Sequence, residues 1–112
     1  MTLREQQSLF ALQVAKLVAH IYDHGYEVTL DWAYRPPEVA AYYAELGIGI
    51  RSSLHTLKLA QDLNLFKDGV WLRSTEDHRQ FGTWWEAQHP LNVWGGRFND
   101  GNHYGSTRNG VR

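Results

Sequence analysis

The chain has 112 residues and a mass of 13.0 kDa, enough for one domain spanning residues 1–112 and too little for two independent cores. Its composition, 43% hydrophobic and 21% charged, is that of a folded soluble protein. The net charge of −1 argues against nucleic acid as a partner, and the lack of cysteine excludes disulfide frameworks and thiol nucleophiles.

The first half of the chain predicts a helix, a strand and a second helix. Apolar residues at helical spacing predict a helix over residues 3–24, ended by Gly25. Alternating apolar residues then predict a strand over 27–34. The pair Pro36-Pro37 ends that strand and starts a second helix, which stops at Gly47.

The second half predicts a β-hairpin, a third helix and a loop-rich end. Leucines at odd positions indicate a strand over 57–66, a turn at Asp68-Gly69 and a returning strand over 70–72. Ser74 opens a capping box for a helix that runs to about residue 89, and loops with a short strand or two follow residue 91. This order predicts an α+β fold with about three helices and a small, mostly antiparallel sheet.

No part of the chain predicts membrane insertion or export. The apolar runs are shorter than the about 20 residues that span a bilayer, and the N-terminus lacks the pattern of a signal peptide. We therefore expect a protein made in the cytoplasm, with no membrane anchor, and a monomer.

Four polar residues stand in unusual settings: His55, Asp62, Asp100 and His103. Asp62 interrupts an apolar strand, where a carboxylate is costly unless it is paired or bound to a metal. Two histidines and one carboxylate form the ligand set of an open zinc site, with the fourth position left for water. The simpler alternatives are an edge position for Asp62, a plain turn at Asp100 and a surface position for His103.

The spacing between His55 and Asp62 restricts how they could share a metal. Seven positions apart, they would be separated by about 23 Å in one strand and by about 10 Å in one helix. Metal ligands lie about 2 Å from their ion, so neither arrangement works. The segment must fold back, with His55 on a turn, Asp62 on the strand and His103 arriving from a neighbouring strand or loop. The remaining histidines, in helical or helix-end settings, are expected to be surface or packing residues: His20, His24, His78 and His89.

Two paired motifs give the chain a family resemblance. Ser53-Leu-His55 with Ala60-Gln-Asp62, and Trp94-Gly-Gly with Asp100-Gly-Asn-His103, match a Ser-x-His-x6-Asp segment and a later Asp/Glu-x-x-His segment. They resemble the LAS-type zinc peptidases of the D-Ala-D-Ala carboxypeptidase group, and most closely the L-alanyl-D-glutamate peptidases of phage endolysins. The resemblance covers roughly residues 29–105 and implies a LAS/hedgehog-like zinc peptidase fold.

The resemblance implies a role for each motif residue. It implies that His55, Asp62 and His103 bind Zn²⁺, and that Asp100 is a catalytic carboxylate that is not a ligand. Asp100 would take a proton from water as general base and return it to the leaving amine. The family often has a carboxylate shortly after the last histidine; here Tyr104-Gly follows, so any acceptor that orients a ligand must come from elsewhere.

Two arginines are candidates for binding the substrate. Arg35 falls where the family usually has an arginine that contacts the substrate and stabilises its oxyanion, and Arg51 is a second candidate. Ser53 matches a residue that supports the site beside the first ligand. The chain departs from the family pattern at Lys58, where many members have glycine, and at Ala40, where glutamine is frequent.

The implied activity is hydrolysis of peptidoglycan stem peptides, as by an L-alanyl-D-glutamate endopeptidase that lyses the host of a phage. A holin-like partner that permeabilises the membrane would then bring the enzyme from the host cytoplasm to the cell wall. The alternatives are a D-Ala-D-Ala carboxypeptidase or dipeptidase, and a non-catalytic cell-wall-binding module whose tryptophans stack on glycans. The glycines of the last segment are expected to let a peptide strand approach closely: Gly95, Gly96, Gly101 and Gly105.

Overall fold

The computed structural model describes residues 1–49 and 53–112 and has an α+β fold, as the sequence predicts. The elements in chain order are α1 Leu3–Asp23, β1 Glu27–Leu30, α2 Pro37–Glu45, a 3₁₀ helix Leu54–Leu57, β2 Ala60–Lys67, β3 Val70–Leu72, α3 Thr75–Gln88, β4 Asn92–Trp94, a second 3₁₀ helix Gly95–Phe98 and β5 His103–Ser106. None of the helices in the described ranges is long and apolar enough to cross a membrane.

The two long helices begin at reciprocal side-chain caps. The Thr2 hydroxyl accepts a hydrogen bond from the Glu5 amide at 3.1 Å, and the Glu5 carboxylate accepts one from the Thr2 amide at 2.9 Å. Ser74 and Asp77 repeat this arrangement at the start of α3, which confirms the capping box read from the sequence. Such caps pair amides that the first helical turn leaves free.

The sheet is five-stranded and antiparallel, with strand order β1-β2-β5-β4. β3 also pairs with β2, and it does so along the edge that β5 uses, because β1 occupies the other edge. β5 pairs with Ala60–Asp62 and β3 with Leu65–Lys67, so a gap in the pairing falls at Leu63 and Asn64. This gap lies next to the candidate site.

One face of the sheet packs against α1 and α3. Leu63, Leu65 and Tyr104 point from the strands into this core and are fully buried. Trp85 of α3 lies among them, and its indole N–H is 3.1 Å from both the Val93 and the Gly105 carbonyl oxygens. Because side chains alternate along a strand, Asp62, Asn64 and Phe66 of β2 point to the opposite face.

Two strand boundaries differ from the sequence prediction. β1 ends at Leu30 rather than at residue 34, because Asp31 and Trp32 bulge against Asp62: the Asp31 amide donates to the Asp62 carbonyl at 3.0 Å, and the Asp62 amide donates to the Trp32 carbonyl at 2.8 Å. β2 begins at Ala60 rather than at residue 57, because Leu54–Leu57 forms a 3₁₀ helix. Leu57 of that short helix continues the odd spacing of the strand leucines, which explains the difference.

A candidate metal centre

Two elements bring the three proposed ligands together. β5 pairs with β2 in a register that places His103 directly opposite Asp62 on the same face of the sheet. The 3₁₀ helix before β2 folds the chain back, so that His55 reaches the same point. One ligand atom of each residue lies within 4.8 Å of those of the other two. The segment folds back as the spacing required.

The distances between the donor atoms suit a small divalent cation. His55 Nε2 is 3.2 Å from Asp62 Oδ1, and His103 Nδ1 is 3.4 Å from the same oxygen. Donors placed about 2.05 Å from a tetrahedral ion are about 3.3 Å apart, which matches both values. His55, Asp62 and His103 can therefore hold a metal ion, with one coordination position left open.

The surroundings of His55 orient it as a ligand. Its Nδ1 lies 2.9 Å from the Ala33 carbonyl oxygen, which can only accept a hydrogen bond. The proton is therefore on Nδ1, and Nε2 directs its lone pair at the centre. This backbone carbonyl supplies the orienting acceptor that the sequence after His103 lacks. The Ser53 hydroxyl accepts from the His55 amide at 3.1 Å and caps the 3₁₀ helix, in keeping with a supporting role.

Asp62 is ionised and has a free lone pair at the centre. Burial alone would raise the pKa of Asp62, but the adjacent imidazoles of His103 and His55 outweigh it, and the pKa lies below its ordinary value. Within the described ranges, Asp62 Oδ1 and His103 Nε2 are buried without a conventional hydrogen-bond partner. Unpaired buried polar atoms are rare because they are costly, and a bound cation would satisfy the carboxylate oxygen.

Asp100 lies beside the ligands without belonging to their cluster. It lines the same cavity, of about 360 Å³, as His55, Asp62 and His103. A turn holds it there: its amide donates to the Gly95 carbonyl at 2.9 Å, and its carbonyl accepts from the His103 amide at 3.1 Å. Burial, reinforced by the charge of Asp62, raises the pKa of the Asp100 carboxyl. A carboxyl at this place can accept a proton and return it.

Arg35 supplies positive charge to the cavity. Its guanidinium lies 5.0 Å from the ring centre of Trp32 and 5.6 Å from that of Tyr43. Its Nε is buried and has no hydrogen-bond partner among the described residues. These aromatic contacts hold the guanidinium in place and leave its Nε–H group available to donate a hydrogen bond to an anion.

The other candidate arginine, Arg51, lies outside the described residues. The sequence analysis missed a third arginine, Arg112, which also lines the cavity. Nothing in the local pattern near Arg112 marks it, because its proximity depends on how the last residues return to the site.

The glycines of the last segment serve internal packing, so the expectation that they admit a peptide is wrong. A Cβ on Gly95 would lie 2.2 Å from the Asp100 carbonyl oxygen, and one on Gly96 would lie 2.2 Å from the Trp94 ring. A Cβ on Gly101 would lie 2.5 Å from the Thr75 backbone. These residues are glycine because other parts of the same chain occupy the space.

Lys58 explains one departure from the resembling family. It follows the 3₁₀ helix with φ of +57°, in the left-handed region that favours glycine. Lysine adopts this conformation at some energetic cost, while its ammonium lies 5.2 Å from the ring centre of Tyr34. This position therefore requires a left-handed backbone conformation, which glycine adopts most easily.

The remaining histidines stay away from the metal centre, as predicted. His78 is buried with its Nδ1 2.8 Å from the Tyr104 hydroxyl, and the ring of His20 stacks on Trp84 at 4.0 Å. Trp85 and Trp94 are buried, which confirms that they belong to the core.

No protein-family model matches the chain, and no curated protein matches it either. The function therefore has to be inferred from the geometry of the site.

Proposed function

We propose that the chain is a zinc-dependent peptidase of LAS type that hydrolyses peptidoglycan stem peptides at the bond between L-alanine and D-glutamate. The observation that carries the proposal is the donor set His55, Asp62 and His103, which has tetrahedral spacing and opens onto a cavity that also holds Asp100. The resemblance of the two paired motifs names the substrate class. A holin-like partner would bring such an enzyme to the cell wall.

The donor set favours zinc over Mg²⁺ and Ca²⁺. Two imidazoles and one carboxylate suit Zn²⁺, whereas Mg²⁺ and Ca²⁺ prefer oxygen ligands in larger numbers. A bound Zn²⁺ would supply a Lewis acid and lower the pKa of a coordinated water. The residues of the chain supply the remaining chemistry.

Asp100 is the proposed proton carrier. Its carboxylate accepts a proton from the attacking water and delivers it to the amine that leaves when the peptide bond breaks. The turn from Asp100 to His103 keeps this carboxylate beside the ligands and outside their cluster, which leaves it free to move protons. Its raised pKa makes the carboxylate a better proton acceptor.

Arg35 is the proposed anion-binding group. Its guanidinium can stabilise negative charge on the carbonyl oxygen under attack, or bind the carboxylate of the D-glutamate residue. Because Trp32 and Tyr43 hold the guanidinium, little conformational entropy is lost when an anion binds.

Substitutions at Asp100 and His55 separate metal binding from catalysis. Asp100→Ala is expected to retain stoichiometric zinc and lose about 10²–10⁴-fold in the rate of lysis of purified peptidoglycan. His55→Ala is expected to lose both zinc and lysis, and Asp23→Ala, at an exposed carboxylate, to retain both. Zinc content after dialysis and turbidity of wall suspensions measure these outcomes. Wild-type lysis by Asp100→Ala, or undiminished lysis in a chelator, would refute the mechanism.

The products identify the bond that is cleaved. Mass spectrometry of digested muropeptides is expected to show a cut between alanine and glutamate. Release of free alanine would instead identify a D-Ala-D-Ala carboxypeptidase, and binding to the wall without any new product would identify a binding module.

A further inference from the structure

A second cavity, of about 250 Å³, is also lined by Asp100. It occupies the gap along the edge of β2 between β3 and β5. Leu63 and Asn64 of β2 line it, as do Trp71 of β3 and the turn that carries Asp100. Since Asp100 also lines the metal cavity, the two cavities meet at this residue.

The metal centre and this second cavity lie along one row of side chains. Asp62, Asn64 and Phe66 share a face of β2, and His103 and Trp71 join that face as register partners of Asp62 and Phe66. At about 3.3 Å per residue, Asn64 lies about 7 Å from Asp62 along the strand and Phe66 about 13 Å. A ligand that extends from the metal along this row would reach Asn64 first and the aromatic pair next.

The lining of the second cavity is mostly polar, includes the guanidinium-bearing Arg73, and suits a hydroxyl-rich ligand. Three side-chain amides, those of Asn64, Asn99 and Asn102, offer both donors and acceptors. The buried His78 closes one wall. At the far end Trp71 leaves 48% of its surface exposed; Phe66 stacks on its ring at 6.3 Å, and the Arg73 guanidinium lies 4.5 Å from the ring centre. An exposed, immobilised aromatic ring beside amides provides apolar contact and hydrogen bonds together.

The stem peptide is attached through its L-alanine to the lactyl group of an N-acetylated amino sugar. When this L-alanine carbonyl is at the metal, one amino acid and one lactyl unit separate it from the sugar. Each unit spans about 3.5 Å when extended, so the sugar begins about 7 Å from the metal. Asn64 lies at about this distance from Asp62 along β2, and the next sugar of the glycan would reach as far as Trp71.

We propose that the second cavity is a glycan subsite, which binds the N-acetylated amino sugar that carries the stem peptide while Arg35 binds the glutamate side of the cleaved bond. This inference rests on the proposed function and deepens it. It assigns the substrate a direction, with its sugar end towards Trp71 and its peptide end towards Arg35. The enzyme should then prefer stem peptides that are still attached to glycan.

Two soluble substrates test the subsite: a disaccharide-linked stem peptide and the same peptide without sugar. In the zinc-loaded wild-type protein we expect kcat/KM to be about tenfold higher for the glycan-linked substrate. Trp71→Ala and, independently, Asn64→Ala should reduce this ratio towards one. Trp84→Ala, at a tryptophan of α3 that stacks on His20 and lines neither cavity, should leave the ratio unchanged.

The outcomes distinguish the two proposals. Cleavage of both substrates at the same rate, or a glycan preference that survives both Trp71→Ala and Asn64→Ala, would overturn the subsite and leave the peptidase standing. Cleavage of neither substrate by folded, zinc-loaded protein would refute the peptidase and the subsite with it. Circular dichroism of each variant shows whether a lower ratio of the two kcat/KM values results from misfolding.

Discussion

His78 is a buried imidazole that the fold keeps neutral. Only 3% of its surface is exposed, and its Nδ1 pairs with the Tyr104 hydroxyl at 2.8 Å. Burial lowers the pKa of His78 to about 4, and the nearby Asp77 offsets this only in part. An unfolded chain would hold the same imidazole at its ordinary pKa of about 6.5.

Acid should therefore destabilise the protein through His78. Between about pH 6.5 and pH 4 the unfolded state binds more protons at this residue, so the free energy of unfolding falls as the pH falls. At pH 5 this amounts to about 2 kcal/mol relative to pH 7.5.

Urea denaturation at the two pH values, in a chelator, measures the loss. Between pH 7.5 and pH 5, the free energy of unfolding of His78→Gln should fall by about 2 kcal/mol less than that of the wild type. The free energy of unfolding of His24→Gln, at an exposed histidine, should fall as much as that of the wild type. An equal loss in His78→Gln and wild type would contradict the assignment.

Single residues were predictable from the sequence where their type conflicts with their setting. Asp62 stands out because a carboxylate in an apolar strand needs a partner, and the structure supplies two imidazoles. Arg112 does not stand out, because an arginine in a polar segment is ordinary until the fold brings it to the cavity. The Ala33 carbonyl that orients His55 is equally invisible, since every residue has one.

At the scale of elements, α3 supports the turn that carries Asp100 through one glycine. Gly82 lies in the middle of this helix, and a Cβ there would be 2.1 Å from the ring of Trp94. The indole N–H of Trp94 donates to the Gly101 carbonyl at 2.7 Å, inside the turn between Asp100 and His103. The helix therefore reaches the site through an aromatic ring that fits only against glycine.

Gly82→Ala should destabilise the protein by about 1–3 kcal/mol, although alanine favours helix by about 1 kcal/mol in an exposed position. The added methyl group displaces Trp94, and with it the turn. Thr83→Ala, at the exposed neighbouring position, should change stability by less than about 0.5 kcal/mol. Chemical denaturation of both variants measures the difference; a Gly82→Ala protein as stable as the wild type would show that Trp94 can move freely.

Elements with strong local signals were predictable, and those that depend on distant contacts were not. Ser74 and Asp77 mark the start of α3 in the sequence, and the cap forms as predicted. The end of β1 depends on the bulge that Asp31 and Trp32 form against Asp62, which is far away in the chain. No local pattern contains that contact.

At the scale of the whole molecule, a cation at the centre would connect β2, β5 and the 3₁₀ helix. Its ligands come from segments that are otherwise joined by backbone pairing and packing. A ligand that binds only the folded state stabilises it by about 2.7 kcal/mol at a hundredfold excess over its Kd.

Metal removal should therefore lower Tm by roughly 10 °C for a domain of this size. Addition of zinc to the chelated protein should restore Tm, as differential scanning calorimetry would show. Asp62→Ala should remove the response to zinc; an equal zinc-induced rise in that variant would place the metal elsewhere.

The α+β class follows from the order of predicted elements, because each helix and most strands carry a local pattern. The strand order β1-β2-β5-β4 does not follow, since β4 and β5 are short and pair with partners far away in the chain. The convergence of His55, Asp62 and His103 required that pairing. The spacing of these residues in the sequence showed only that the chain has to fold back between His55 and Asp62 if both bind one ion.

The pairing of Asp62 with His103 across two strands has a consequence for folding. If β5 slipped by one residue along β2, alternation would turn His103 towards the core and bring Tyr104 to the outer face. Only the native alignment offers both donors to one ion. A metal ion present during folding would thus favour that alignment over its nearest competitor.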